Sequence, residues 1–313
     1  MHLLITTPEP FVYSAVMSNT SDSQKNQHKN HLEDETLSNE IFTAEELLLL
    51  REAGLFFRDP GLVIKGLSWL GKPIESFQEK LPARAQSVIA RTTERAIQKA
   101  MLVAVKTIPQ ESKSKPIQSA RLHKGIATLA GTASGLVGLP GLAVELPLTT
   151  VVILRSILDQ ARLYGHDITD LQIQLECLMV FSMGTPGKAD DAANSSYFMT
   201  RASFAGIVNK IAETAATLST KELLSLIEKG SAPIIVRMIS KVAETFQIRV
   251  SQKFLAESVP IVGAIGGGAL NYAFTDFFTT TAKYHFAVRA LEIKYGQDLV
   301  QSELRKYISL KIS

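Results

Sequence analysis

The sequence predicts an all-α fold, a multi-helix bundle with two glycine-rich, buried or membrane-dipping helical hairpins. Three observations predict it. Helix start signals recur, with Thr43 and Glu46, Thr169 and Gln172, and Ser219 and Glu222 at capping-box spacing. Glycines suited to a left-handed helix stop follow, at Gly165, Gly230 and Gly296. Alternating β-branched runs bounded by turns are absent, and Ile234-Ile235-Val236 comes nearest to one.

Composition narrows the classes. With 313 residues, 46% of them hydrophobic, the chain can build a core without metal or disulfide staples. The single cysteine, Cys177, excludes an intrachain disulfide and any CxxC site, and its apolar neighbours make it a buried small hydrophobe. The net charge of +3 is spread along the chain, so no nucleic-acid partner is expected.

Residues 1–40 read as a disordered tail, because Ser18–Asn30 has almost nothing to bury. Pro8, Glu9 and Pro10 interrupt the apolar amino end, so no secretory signal is expected, and Met17 is an alternative start. A helical domain is expected over 41–313. Its first helix covers Glu45–Arg58 and stops at Pro60. The short apolar stretch Gly61–Leu70 carries Trp69, which suits a core cover or a membrane surface. A long amphipathic helix follows over Ala83–Ile108, then a polar linker, Gln110–Pro116. Further helices are expected after Thr169, from Asp190-Asp191 to about Leu218, over Ser219–Gly230, and over Ile234–Leu255.

Two segments are almost free of charge. Gly125–Leu154 holds only Glu145, and Ser258–Thr275 holds none. Pro140-Gly141 is expected to break the first, leaving a helix about 22 Å long, short of a hydrocarbon core about 30 Å thick. The second, after Pro260, has a similar length. Gly131 and Gly135, and likewise Gly263 and Gly267, fall on one helix face. Each glycine costs a helix about 1 kcal/mol relative to alanine, so close helix packing is expected at both pairs. Two readings stand: a buried helical hairpin, or a hairpin dipping into one leaflet. Arg162-Leu-Tyr-Gly-His-Asp-Ile168 and Ile293-Lys-Tyr-Gly-Gln-Asp-Leu299 echo one another. The echo fits two similar helical units or a shared stop-and-start grammar.

The chain resembles the EcsC protein family. The first matching block is Gly131-Thr-Ala-Ser-Gly-Leu-Val-Gly-Leu-Pro-Gly141, with Glu145-Leu-Pro-Leu-Thr-Thr150 and Tyr164-Gly-His-Asp167 after it. The second is Glu176-Cys-Leu-Met-Val-Phe181, then Asp190-Asp-Ala-Ala193 and Tyr197. The third is Pro260-Ile-Val-Gly-Ala-Ile-Gly266, Asn271 and His285-Phe-Ala-Val-Arg-Ala-Leu-Glu292. Resemblance extends over roughly Leu47–Tyr307. The family is named for a protein encoded beside the components of a bacterial ABC transporter. The resemblance therefore implies an association with membrane transport and no defined chemistry.

No HExxH, GxSxG or GxxxxGK[ST] motif occurs. Gly184-Thr-Pro-Gly-Lys188 lacks the hydroxyl residue that would hold magnesium, and Gly263–Gly268 follows no strand. Polar groupings remain. Arg155, Asp159 and Arg162 share a helix face, as an ion network or a binding face. Glu145 needs a partner if buried, and Arg155 is the candidate. Asn271, His285, Arg289 and Glu292 line up on one helix, with His285 and Glu292 as an acid–base pair or a polar seam. Glu176, Asp190 and Asp191 form a weak metal candidate against helix-capping roles.

No cofactor is expected. The leading expectation is a non-enzymatic, cytoplasm-facing protein, peripheral at the inner membrane, whose partner is a membrane surface or membrane protein complex. The alternatives are a hydrolase acting on peptides or lipids, which requires Glu145, Arg155, Asp159 and His285 to converge, and a soluble helical scaffold.

Overall fold

The computed structural model describes residues 41–58, 81–107, 138–183, 196–257 and 267–309. Among them lie nine α-helices and no strand, so the fold is all-α. They are α1 (Ala44–Arg58), α2 (Ala83–Thr107), α3 (Gly138–Leu163), α4 (Leu171–Met179), α5 (Ser196–Ala215), α6 (Thr220–Lys229), α7 (Pro233–Glu257), α8 (Gly267–Tyr295) and α9 (Gln297–Ser309). A 3₁₀ turn, Val180–Ser182, extends α4. The described residues divide into two units, one ending at Leu49 and the other beginning at Leu50. The expected tail, Trp69, Gly131, Gly135, Gly263, Asp190 and Asp191 lie outside the described residues.

Several helix ends follow the sequence grammar. In the amino-terminal unit, the Thr43 backbone N–H donates to Glu46 and the Glu46 N–H to Thr43 Oγ1. Ser219 and Glu222 close a full capping box on α6, and Gly230 ends that helix at φ 60°. Gly165 and Gly296 take positive φ of 82° and 93°, which other L-residues adopt at a cost.

One boundary differs from expectation. Asp170, not Thr169, caps α4 by accepting the Gln172 N–H, while Thr169 donates to Asp167 in the preceding turn. An aspartate beside a threonine is the stronger cap. The expected leading helix, Gly125–Leu139, lies outside the described residues except for its last two, and α3 begins at Gly138. Pro140 falls in the first turn, where its missing N–H has no helical acceptor to lose. Pro147 lies farther inside the helix. Gly141–Leu163 is long and apolar enough to cross a membrane by length and composition. Yet 61% of its most apolar window is buried within the protein.

Within the body, α2 packs against α3, α7 and α6, and α8 packs against α3 and α9. Phe181 from the 3₁₀ turn, Phe246 from α7 and Phe278 from α8 meet with ring centroids 4.9–5.4 Å apart. Lys253, late on α7, meets both Glu145, early on α3, and Phe274, early on α8. The first turns of α3 and α8 therefore share one end of the bundle with the last turns of α7. Toward the other end, His166 Nε2 donates to the Phe286 carbonyl at 2.9 Å.

The observed close approach centred on a glycine is at Gly54. A Cβ there would stand 2.5 Å from Tyr307 Cβ and 3.3 Å from the Leu304 carbonyl oxygen. Gly54→Ala should therefore separate α1 from α9 and lower stability by about 1–3 kcal/mol, read as a lower denaturant midpoint. An unchanged midpoint would mean that the two helices separate without cost.

Candidate functional site

A buried polar network joins α4, α5, α8 and α9. It starts from spacing: His285, Arg289 and Glu292 lie one helical turn apart on α8, and Tyr197 and Arg201 one turn apart on α5. Arg201 grips Glu292 with two bonds of 2.7 Å. Arg289 donates to Glu292 at 2.9 Å and to both oxygens of Glu176, at 3.2 and 3.3 Å. Gln301 on α9 donates to Glu292 at 3.2 Å. Tyr197 lies between α5 and α8: its hydroxyl accepts from Arg201 and pairs with His285 Nδ1, each at 3.3 Å. His285 Nε2 faces Glu176 Oε2 at 3.5 Å, and the carboxylate favours the imidazole proton on Nε2, which makes Nδ1 the acceptor of the Tyr197 hydroxyl. At that length the contact is electrostatic rather than a hydrogen bond.

The electrostatics follow from enclosure. Burial pushes the Glu176 carboxyl up, but His285 and Arg289 together outweigh it and hold it at about 2. Burial also raises Glu292, and Arg201 and Arg289 bring it below the usual carboxylate range. His285 is lowered, first by burial, so it is neutral near pH 7. Burial lifts the Tyr197 phenol to about 12. The site is two ionised carboxylates bound to two guanidiniums, beside a neutral imidazole.

Beside this network opens a cleft of about 440 Å³. Glu176, Arg201, Arg289 and Gln301 line one side, and Met179, Met199, Ala205 and Val208 supply apolar lining. Arg305 stands in the lining with its guanidinium carbon 3.9 Å from the centroid of the Phe198 ring.

The second buried charge site lies toward the other end of α8. Lys253 Nζ is 2.5 Å from Glu145 Oε1, and both side chains are enclosed. Arg249, one turn earlier on α7, is 3% exposed and rests 4.7 Å from the Phe277 ring centroid. Its Nε and Nη2 have no hydrogen-bond partner among the described residues, and burial draws the group down to about 10.

The sequence candidates are sorted accordingly. Glu145 is buried, but Lys253 meets it and Arg155 does not. An unbroken α3 carries the exposed Arg155 about 15 Å farther along the axis. Asp159 meets Arg162 at 3.6 Å. His285 faces Glu176, not the expected Glu292, which Arg201 and Arg289 occupy. Asn271 is buried on α8 about 21 Å from His285 and belongs to neither contact. Glu145, Arg155, Asp159 and His285 thus do not converge. Glu176, a weak metal candidate, is held by Arg289, and no metal-binding group of His, Cys, Asp or Glu occurs among the described residues. Gly267 opens α8. Cys177 is buried, and burial raises its thiol well above the ordinary range.

Arg201, Gln301, Lys253 and Arg249 were not singled out from sequence. Arg201 and Glu292 are 91 residues apart, and no local spacing announces their contact. A salt-linked pair on separate helices leaves only its residue types in the sequence.

The profile of the EcsC protein family matches residues 68–291, most of the chain. No curated protein and no solved structure matches it.

Two predictions arise from these charge sites. His285 is lowered in the folded protein, so below its ordinary pKa of 6.5 the unfolded chain takes up a proton that the folded chain refuses. Stability should fall as pH drops through that value, by at most about 1.4 kcal/mol per pH unit. Glu176 adds a further loss as pH falls from 4.5 toward 2. In His285→Gln the slope between pH 7 and 5.5 should flatten while the more acidic loss persists. Denaturant titrations at a series of pH values measure both, and an unchanged slope would refute the assignment.

Lys253→Met should remove the buried ion pair with Glu145 and cost about 3–5 kcal/mol. Adding Glu145→Leu should recover at least half of the loss. Chemical denaturation of the single and double variants forms the cycle, and purely additive losses would show that the pair is not coupled.

Proposed function

The chain belongs to the EcsC protein family, and from that membership we propose that it is a non-enzymatic helical protein attached at a membrane surface or to a membrane protein complex, as an accessory to ABC-type transport. One observation carries the reading. Val144 and Leu148, one turn apart on α3, are 70% and 51% exposed on the most apolar long helix described. Apolar side chains at i and i+4 form a continuous edge. Tyr272, early on α8, is also exposed, at the same end of the bundle.

The sequence on either side of this edge supports the same reading. The uncharged stretch Ser258–Thr275 joins α7 to α8, and the stretch from Gly125 leads into α3 without a charge before Glu145. Both segments therefore meet the bundle at the end that carries Val144, Leu148 and Tyr272. The inward face of α3 supplies Glu145, Leu146, Thr149 and Thr150 to the interior. That division suits a helix lying against a surface: one face holds the fold while the other offers apolar area.

A vesicle assay tests the proposal. The full chain, without detergent and at low salt, should sediment with phospholipid vesicles. Val144→Glu combined with Leu148→Glu should lower the partition at least tenfold, since burying each such side chain is worth about 1.5–3 kcal/mol. Circular dichroism should stay helical, because both positions are exposed. Recovery of the unsubstituted chain wholly in the supernatant would overturn the proposal and favour a soluble scaffold.

A further inference from the structure

We infer that Arg249 receives an oxyanion, a carboxylate or phosphate group, on the edge of its guanidinium formed by Nε and Nη2. The argument starts from which donors are met. Nη1 donates to Gln252 Oε1 on the same helix at 3.4 Å. Nε and Nη2 are buried and meet no acceptor among the described residues. These two nitrogens are neighbours on the planar group. Their N–H bonds point the same way and form the fork that grips two oxygens side by side. The unmet donors thus make up one whole recognition edge.

The groups packed against Arg249 leave that edge unmet. The Phe277 ring, with its centroid 4.7 Å from the guanidinium carbon, attracts the charge but has no oxygen to accept an N–H. The carboxylate one turn along the bundle, Glu145, pairs with Lys253. Arg249 joins no ion pair among the described residues, and burial alone shifts it. With 3% of its surface exposed, it differs from a surface arginine, whose free donors water would meet. A buried cation ordinarily comes with its counter-charge.

The same layer of the bundle holds further unmet polar atoms. Thr149, one turn after Glu145 on α3, is 1% exposed, and Thr275, beside Phe274 on α8, is 0% exposed. Each has a buried hydroxyl oxygen with no partner among the described residues. A helical threonine can satisfy its hydroxyl on the carbonyl four residues back, as Thr150 and Thr279 do. Thr149 and Thr275 do not, so each keeps a proton to donate. Three helices therefore bring a guanidinium fork and two hydroxyl donors to one level of the interior. Such a set matches an acceptor-rich anion and mismatches a cation. The inference stands apart from membrane attachment, since Arg249 is interior and the Val144–Leu148 edge faces outward.

The test is thermal unfolding of the full chain without membranes, at an ionic strength held constant with sodium chloride so that screening is equal throughout. The probes are inorganic phosphate, acetate and monomeric dihexanoyl phosphatidate. At least one should raise the midpoint, by about 5 °C at a hundredfold excess over its dissociation constant. A response to phosphate or acetate identifies a free ion as the occupant, and a response to phosphatidate alone identifies a lipid headgroup. Arg249→Met should cancel the response. Arg249→Lys keeps the charge without the fork and should weaken binding about tenfold or more. If no probe raises the midpoint above that in chloride, the inference fails. It fails equally if Arg249→Met responds as the unsubstituted chain does, since binding would then lie elsewhere, for instance on the Val144–Leu148 edge.

Discussion

Glu292 has 1% of its side chain exposed, and a carboxylate so enclosed must be met by cations or give up its charge. It is met by two, Arg201 from α5 and Arg289 from its own helix, with Gln301 of α9 as a third donor. Arg289 in turn engages Glu176 of α4. One enclosed charge thereby fixes the relative placement of four helices. Against an apolar core of the same shape such a network adds little net stability. Its consequence is a sharp penalty for displacement, because moving α4, α5 or α8 separates a buried ion pair. The cleft inherits its geometry from this arrangement.

The body carries buried charge toward both ends of α8, and the two sites are built differently. Around Glu292 the charges interlock and the guanidiniums reach an open cleft. Around Glu145, Lys253 forms an ion pair in an enclosed setting, next to Arg249 packed over the Phe277 ring. The first arrangement leaves charged side chains at the edge of open space. The second holds α3 against α7 at the end where the uncharged segments join the bundle.

Helix α3 shows why apolarity alone decides little. Its composition and length satisfy the requirement for crossing a bilayer, yet Glu145, Asp159 and most of its apolar window are enclosed by neighbouring helices. A long apolar helix is equally the centre of a bundle. Val144 and Leu148 depart from that pattern, and they do so by facing outward at one end. The direction of a side chain separates the two roles, and direction depends on the partners of the helix.

Legible in the residues alone were the helical class, the boxes at Thr43 and Ser219, the stops at Gly165, Gly230 and Gly296, and membership of the family whose profile matches residues 68–291. These are local or compositional properties, set by hydrogen bonds and backbone angles within a few residues. The residues alone misplaced the α4 cap by one position, because Thr169 and Asp170 both carry an oxygen able to cap. The packing of the helices chose the partners: Lys253 for Glu145, Glu176 for His285, Arg201 for Glu292 and α9 for Gly54. Each of these contacts joins residues far apart in the chain, and helix packing sets which faces meet.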